Sequence, residues 1–171
     1  MSEKLEELNN AAKETAETAL LSCCGSRRWA NKMAEVRPFA DVSVLLEQAE
    51  EIWQNLDAQD WLEAFAAHPK IGAKKAVPHQ TVQSADWSKS EQSGTKNAAE
   101  VVRTELEEAN RLYENKFGFI FIVCATGKSA EEMLSLCHNR LNNQDEHEIK
   151  IAADEQRKIT EIRLKKLLEI E

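Results

Sequence analysis

Chain breakers are scarce: the 171 residues include only five glycines and three prolines. Such a chain suits long helices with few interruptions. Long apolar runs are missing too. The longest, FIFIVCA at 119–125, is far too short to span a bilayer, so no membrane partner is expected. The four cysteines, Cys23, Cys24, Cys124 and Cys137, form no CxxC spacing, and neighbours such as Cys23 and Cys24 rarely pair with each other. That argues against a zinc site or a disulfide framework and for reduced thiols in a cytosolic protein. Positive charge is also short. The formal net charge of −8 excludes general nucleic-acid binding, which needs a basic face. An anionic small molecule remains possible wherever a few positive groups gather locally. The start, MSEKLEELNN, is charged and polar, so no secretory leader is expected, and the final LEIE is no peroxisomal address. The expected location is the cytoplasm.

What is present is a soluble globular composition, 42% hydrophobic and 30% charged. The length fits one domain, 1–171, able to bury roughly two thirds of its unfolded surface. Residues 3–21 read as a first helix. Val42, Leu45, Leu46, Ala49, Ile52, Trp53 and Leu56 recur at three and four residues, one face of a helix that Asp41 can cap. AQDWLEAFAAH gives another helix, ended by Pro69. Residues 69–90 read as one long irregular segment. A helix follows from about Thr95 to Asn115, and Gly118 lies beyond its end. The run FIFIVCA is extended or deeply buried. Ser129 with Glu132 makes a capping box, and a last helix runs from about Asp145 to Leu168. The fold class is all-α, a single-domain helical bundle.

Three places could carry chemistry. His68, in AFAAHPKIGAKK, stands between a helix end and a Pro69–Gly72 break. Histidine suits proton transfer near neutral pH, although a histidine there can equally be a structural cation at the helix terminus. In DWSKSEQSG, Ser88 and Glu91 have the spacing of a capping box at a helix start. The same geometry could offer N–H groups to an anion, with Glu91 and Gln92 binding an amide-like or urea-like ligand. Arg163 falls on the apolar stripe of the last helix, where it either snorkels to water or meets a carboxylate. Arg140 lies in polar surroundings, HNRLNN, and weighs less. Lys70, Lys74 and Lys75 read as a solvated run. His79, His138 and His147 read as surface residues.

Taken in order, HPKIG at 68–72, SKSEQSG at 88–94, YENKFGFIFIV at 113–123 and EIRLKKL at 161–167 resemble the motifs of the 2-oxo-4-hydroxy-4-carboxy-5-ureidoimidazoline (OHCU) decarboxylases of urate breakdown. The likeness covers essentially the whole chain. It implies a carboxy-lyase that needs no metal or cofactor, converts this ureidoimidazoline to (S)-allantoin and carbon dioxide, and works as a cytoplasmic homodimer. By the same likeness His68 is the catalytic histidine, assisted by Glu91. Pro69, Ser88, Gln92 and the segment Phe121, Ile122, Val123, Cys124 and Ala125 contact the substrate, as does Arg163. Two other readings stay open: a lyase or hydrolase for another ureido compound, and a helical interaction module without catalysis.

Overall fold

A computed structural model describes residues 2–71, 80–96 and 98–170; among them nine α-helices and one short 3-10 turn form, with no strand. The expected all-α class is found. The helices are α1 (Glu3–Asn10), α2 (Lys13–Cys23), α3 (Arg27–Glu35), α4 (Val42–Gln54), α5 (Ala58–Ala66), α6 (Val82–Glu91), α7 (Glu100–Phe117), α8 (Ala130–Arg140) and α9 (Asp145–Leu167), with the 3-10 turn at Ser93–Thr95. No helix among the described residues is long and apolar enough to cross a membrane. The chain forms two compact units, one made of Met1–Ala64 and Arg157–Glu171, the other of Phe65–Gln156.

In the first unit the expected single helix over 3–21 is broken in two. Ala11 is extended, and the reason lies thirty residues away. Arg37 donates from Nη1 to the carbonyls of Leu8 (2.5 Å) and Ala11 (2.9 Å), taking up acceptors that a helix end leaves unsatisfied. Asn9 closes the same corner with two bonds to the backbone of Phe39, each 2.9 Å. The Arg37 bonds are charge-assisted and worth ~1.5–3 kcal/mol each, enough to offset a broken helix. The short helix α3 was not apparent in the sequence; Ser26 caps it, accepting from Trp29 N. Trp29 is fully buried and its indole N–H reaches the Ala49 carbonyl at 3.1 Å, tying α3 to α4. Asp41 caps α4 as expected, and Leu45, Ala49, Trp53 and Leu56 are the buried members of its stripe.

The second unit packs Leu106, Ala109, Tyr113, Phe121, Val123, Met133 and Cys137 into one core. Gly118 ends α7 in the left-handed conformation (φ 76°), where alanine would cost ~1 kcal/mol. The turn brings Phe121 edge-on to Tyr113, ring centroids 5.3 Å apart. Residues 121–125 are neither helix nor strand and all are buried. Ser129 and Glu132 form the expected capping box of α8.

Candidate active site

His68 follows the end of α5, and its backbone N–H returns to the Phe65 carbonyl at 3.1 Å. The half-buried imidazole meets α9: its Nε2 lies 2.6 Å from Oε1 of Gln156, a side chain with no exposed surface. The neighbouring residue Glu155 accepts from the backbone N–H of Cys124 at 2.6 Å. Two successive residues of one helix thus hold the histidine and the buried segment.

The SKSEQ stretch sits differently from expectation. Thr81, not Ser88, caps the helix, accepting from Ser84 N at 3.0 Å, so the segment 82–90 is helical rather than irregular. Ser88, Glu91 and Gln92 therefore lie at the C-terminal end of α6, where carbonyls rather than free N–H groups are presented. The helix-start reading of Ser88 and Glu91 is overturned because Thr81 caps the helix seven residues, about two turns, earlier. Ser88 is buried and its hydroxyl takes a 3.0 Å bond from Gln80. Glu91 is buried too, and the Gln92 N–H donates to the Ser88 carbonyl at 3.1 Å.

Glu91 and Cys124 are electrostatic neighbours. Burial pushes the Cys124 thiol up, and the carboxylates of Glu155 and Glu91 push it further the same way. Lys128 opposes them, and its ammonium also donates to the Cys124 carbonyl at 2.8 Å. The 3-10 turn after Gln92 presses on the same loop. A Cβ on Gly94 would collide with the Lys128 carbonyl and lie 3.2 Å from its carbon, so no larger residue fits.

Arg140 supports the segment from behind. It is buried, donates to the Ile122 carbonyl at 2.6 Å and lies 4.7 Å from the Phe121 ring centroid. Its charge is balanced by fully buried Glu148, at 2.6 Å, which also accepts from Asn143 and from the Tyr113 hydroxyl. Glu148 and Glu155 are seven residues apart on one face of α9, and both brace residues 121–125, one through Arg140 and one directly. Sequence reasoning undervalued Arg140 and missed Glu148, Glu155 and Gln156. A signal existed for Gln156: it lies four residues after Ala152 and three before Ile159, on the buried stripe of the helix.

Arg163 belongs to the first unit. It is buried rather than snorkelling, and its Nη1 donates to the Ser22 carbonyl at 3.4 Å. Pro69 is half-buried beside His68. Lys70 pairs with Glu114 at 2.5 Å; Gly72, Lys74, Lys75 and His79 lie outside the described residues. His138 and His147 are exposed, as expected.

A family profile described as OHCU decarboxylase matches residues 9–165. The uric acid degradation bifunctional protein TTL of Arabidopsis thaliana is 43% identical over 162 residues, 91% of this chain but 48% of its own length. A 2-oxo-4-hydroxy-4-carboxy-5-ureidoimidazoline decarboxylase of Halalkalicoccus jeotgali is 25% identical over 95% of this chain and 90% of its own. A crystal structure of an OHCU decarboxylase in the presence of (S)-allantoin superimposes with a TM-score of 0.77 at 38% identity, covering 93% of this chain and 99% of the other. The chain thus spans about half the length of the Arabidopsis relative and nearly all of the crystallised one.

Proposed function

The chain belongs to the OHCU decarboxylase family, and we propose that it converts 2-oxo-4-hydroxy-4-carboxy-5-ureidoimidazoline to (S)-allantoin and carbon dioxide. The observation that supports this most is the junction at α9, where the adjacent residues Glu155 and Gln156 hold the backbone of Cys124 and the ring of His68.

The substrate's carboxyl group sits on C4, which also carries a hydroxyl. Its neighbour C5 carries the ureido group and a double bond to a ring nitrogen. When the bond to the carboxyl breaks, its electron pair forms C4=C5, and the imine pair moves to the nitrogen, which gains a proton. An enol remains. Ketonisation sheds the hydroxyl proton and requires one proton at C5, on one face. In sum, a carboxylate and a proton become carbon dioxide and a C–H bond. His68 delivers the proton to C5. Glu91 assists by accepting from the ureido N–H groups, and Gln92, which both donates and accepts, fixes the ring with Ser88, Pro69 and the backbone of Phe121, Ile122, Val123, Cys124 and Ala125. Arg163 is proposed for the departing carboxylate on the strength of its motif position. A tight ion pair there would stabilise the ground state and slow the reaction.

Substrate generated in situ from urate gives the test, with circular dichroism following the allantoin formed. The protein is expected to yield one enantiomer, and His68→Asn to lower the stereospecific rate by about 10²–10⁴-fold. Racemic product from the wild type, or an undiminished stereospecific rate in the variant, would sink the reading. The proposal extends to a single catalytic domain acting as a homodimer in the cytoplasm, the last point checked by cell fractionation.

A further inference from the structure

The contact between His68 and Gln156 fixes more than the position of a ring. A neutral imidazole carries one N–H, and which nitrogen bears it is decided by the partner of the other. Here Nε2 faces a carboxamide oxygen at 2.6 Å, and an oxygen accepts only from N–H. Gln156 is fully buried, so water cannot substitute for it, and the helix that carries it is anchored one residue earlier by the bond from Cys124 N to Glu155. The choice of an amide matters chemically. A carboxylate at this place would hold the ring as a permanent cation, whereas a neutral acceptor lets it pass between charged and neutral states.

We propose that Gln156 is the positioning residue that fixes His68 as the Nε2–H tautomer, so that Nδ1 is the atom that exchanges a proton with the substrate. In the cationic ring Nδ1–H gives its proton to C5 of the enol. The neutral ring that remains keeps Nε2–H on Gln156, and solvent restores the proton at Nδ1. This rests on the reading of His68 as the proton carrier.

The test uses the whole chain labelled with [15N]histidine and a long-range ¹H–¹⁵N correlation spectrum of the resting protein, above the pH at which His68 becomes neutral. His68 is expected to show a protonated Nε2 and a bare Nδ1. In Gln156→Leu the pattern is expected to become a mixture of tautomers, and kcat to fall about 10–100-fold while KM stays within about two-fold. Gln156→Glu, which puts a carboxylate in the same place, is expected instead to hold the ring as the cation, with N–H signals on both nitrogens at a pH where the wild-type ring is neutral. A resting wild type with its proton on Nδ1, or a Gln156→Leu variant with unchanged kcat, would overturn the proposal. Because the spectrum is read without substrate, the two readings can fail separately. An Nε2–H pattern in a protein that forms no allantoin supports the tautomer and removes the decarboxylase, while an Nδ1–H pattern in an active enzyme removes the tautomer alone.

Discussion

Burial sets the chemistry of single residues here as much as their identity does. The thiols of Cys24 and Cys137 have no exposed surface, and burial pushes both up to about 12. In the unfolded chain such a thiol releases its proton near 9.0. Between these limits the folded state binds more protons than the unfolded one, so stability is complete below about pH 9 and declines as pH rises. Each thiol contributes a slope approaching ~1.4 kcal/mol per pH unit, and Tyr113, raised mainly by burial, adds the same sign at higher pH. Urea midpoints are expected to be flat up to about pH 9 and to drop beyond it, with a shallower drop in Cys137→Ala. Identity alone misled at Arg140. Its sequence neighbours are polar, yet its side chain turns inward to Glu148 and Ile122 because the partners that neutralise it are on other segments. His68 was legible from its Pro–Gly setting, while the residue that orients it was hidden in an ordinary polar stretch, DEQR.

Several element ends were read well. Asp41, Gly118 and the Ser129–Glu132 box stand where the sequence puts them, since each cap is made by residues within one turn. The failures have two causes, a terminus decided at a distance and a local cap that lies earlier in the chain. Arg37 and Asn9 split the first helix through bonds spanning 26 to 30 residues, and no periodicity records them. At α6 two hydroxyl caps competed, and Thr81 prevailed over Ser88. The 3-10 turn after α6 supplies an element-scale prediction. Gly94→Ala sets a methyl group against the Lys128 backbone, so the turn or the loop must shift, and the loss is expected to be ~1–3 kcal/mol with about a ten-fold drop in kcat/KM. Gly127→Ala is the control: its space is open, and only its φ of 78° opposes a side chain, costing about 1 kcal/mol. Chemical denaturation and steady-state rates on the two variants distinguish crowding from backbone strain. Equal effects would dismiss the crowding account.

At the scale of the molecule, α5 and α9 each begin in one unit and end in the other. A helix melts cooperatively along its length, so the two units are expected to unfold in one calorimetric transition, its midpoint rising with protein concentration if the chain dimerises. Two resolved transitions would separate the units into independent domains. The first half of α9 carries a further consequence. Glu148, Glu155 and Gln156 each hold a different partner from one rigid rod, and each added residue turns the rod by about 100° and advances it ~1.5 Å. A single insertion or deletion between Glu148 and Glu155 would therefore withdraw the supports of Cys124 and His68 together. Evolution can trim or lengthen this chain at its corners, but within that stretch it can exchange letters only, never change their number.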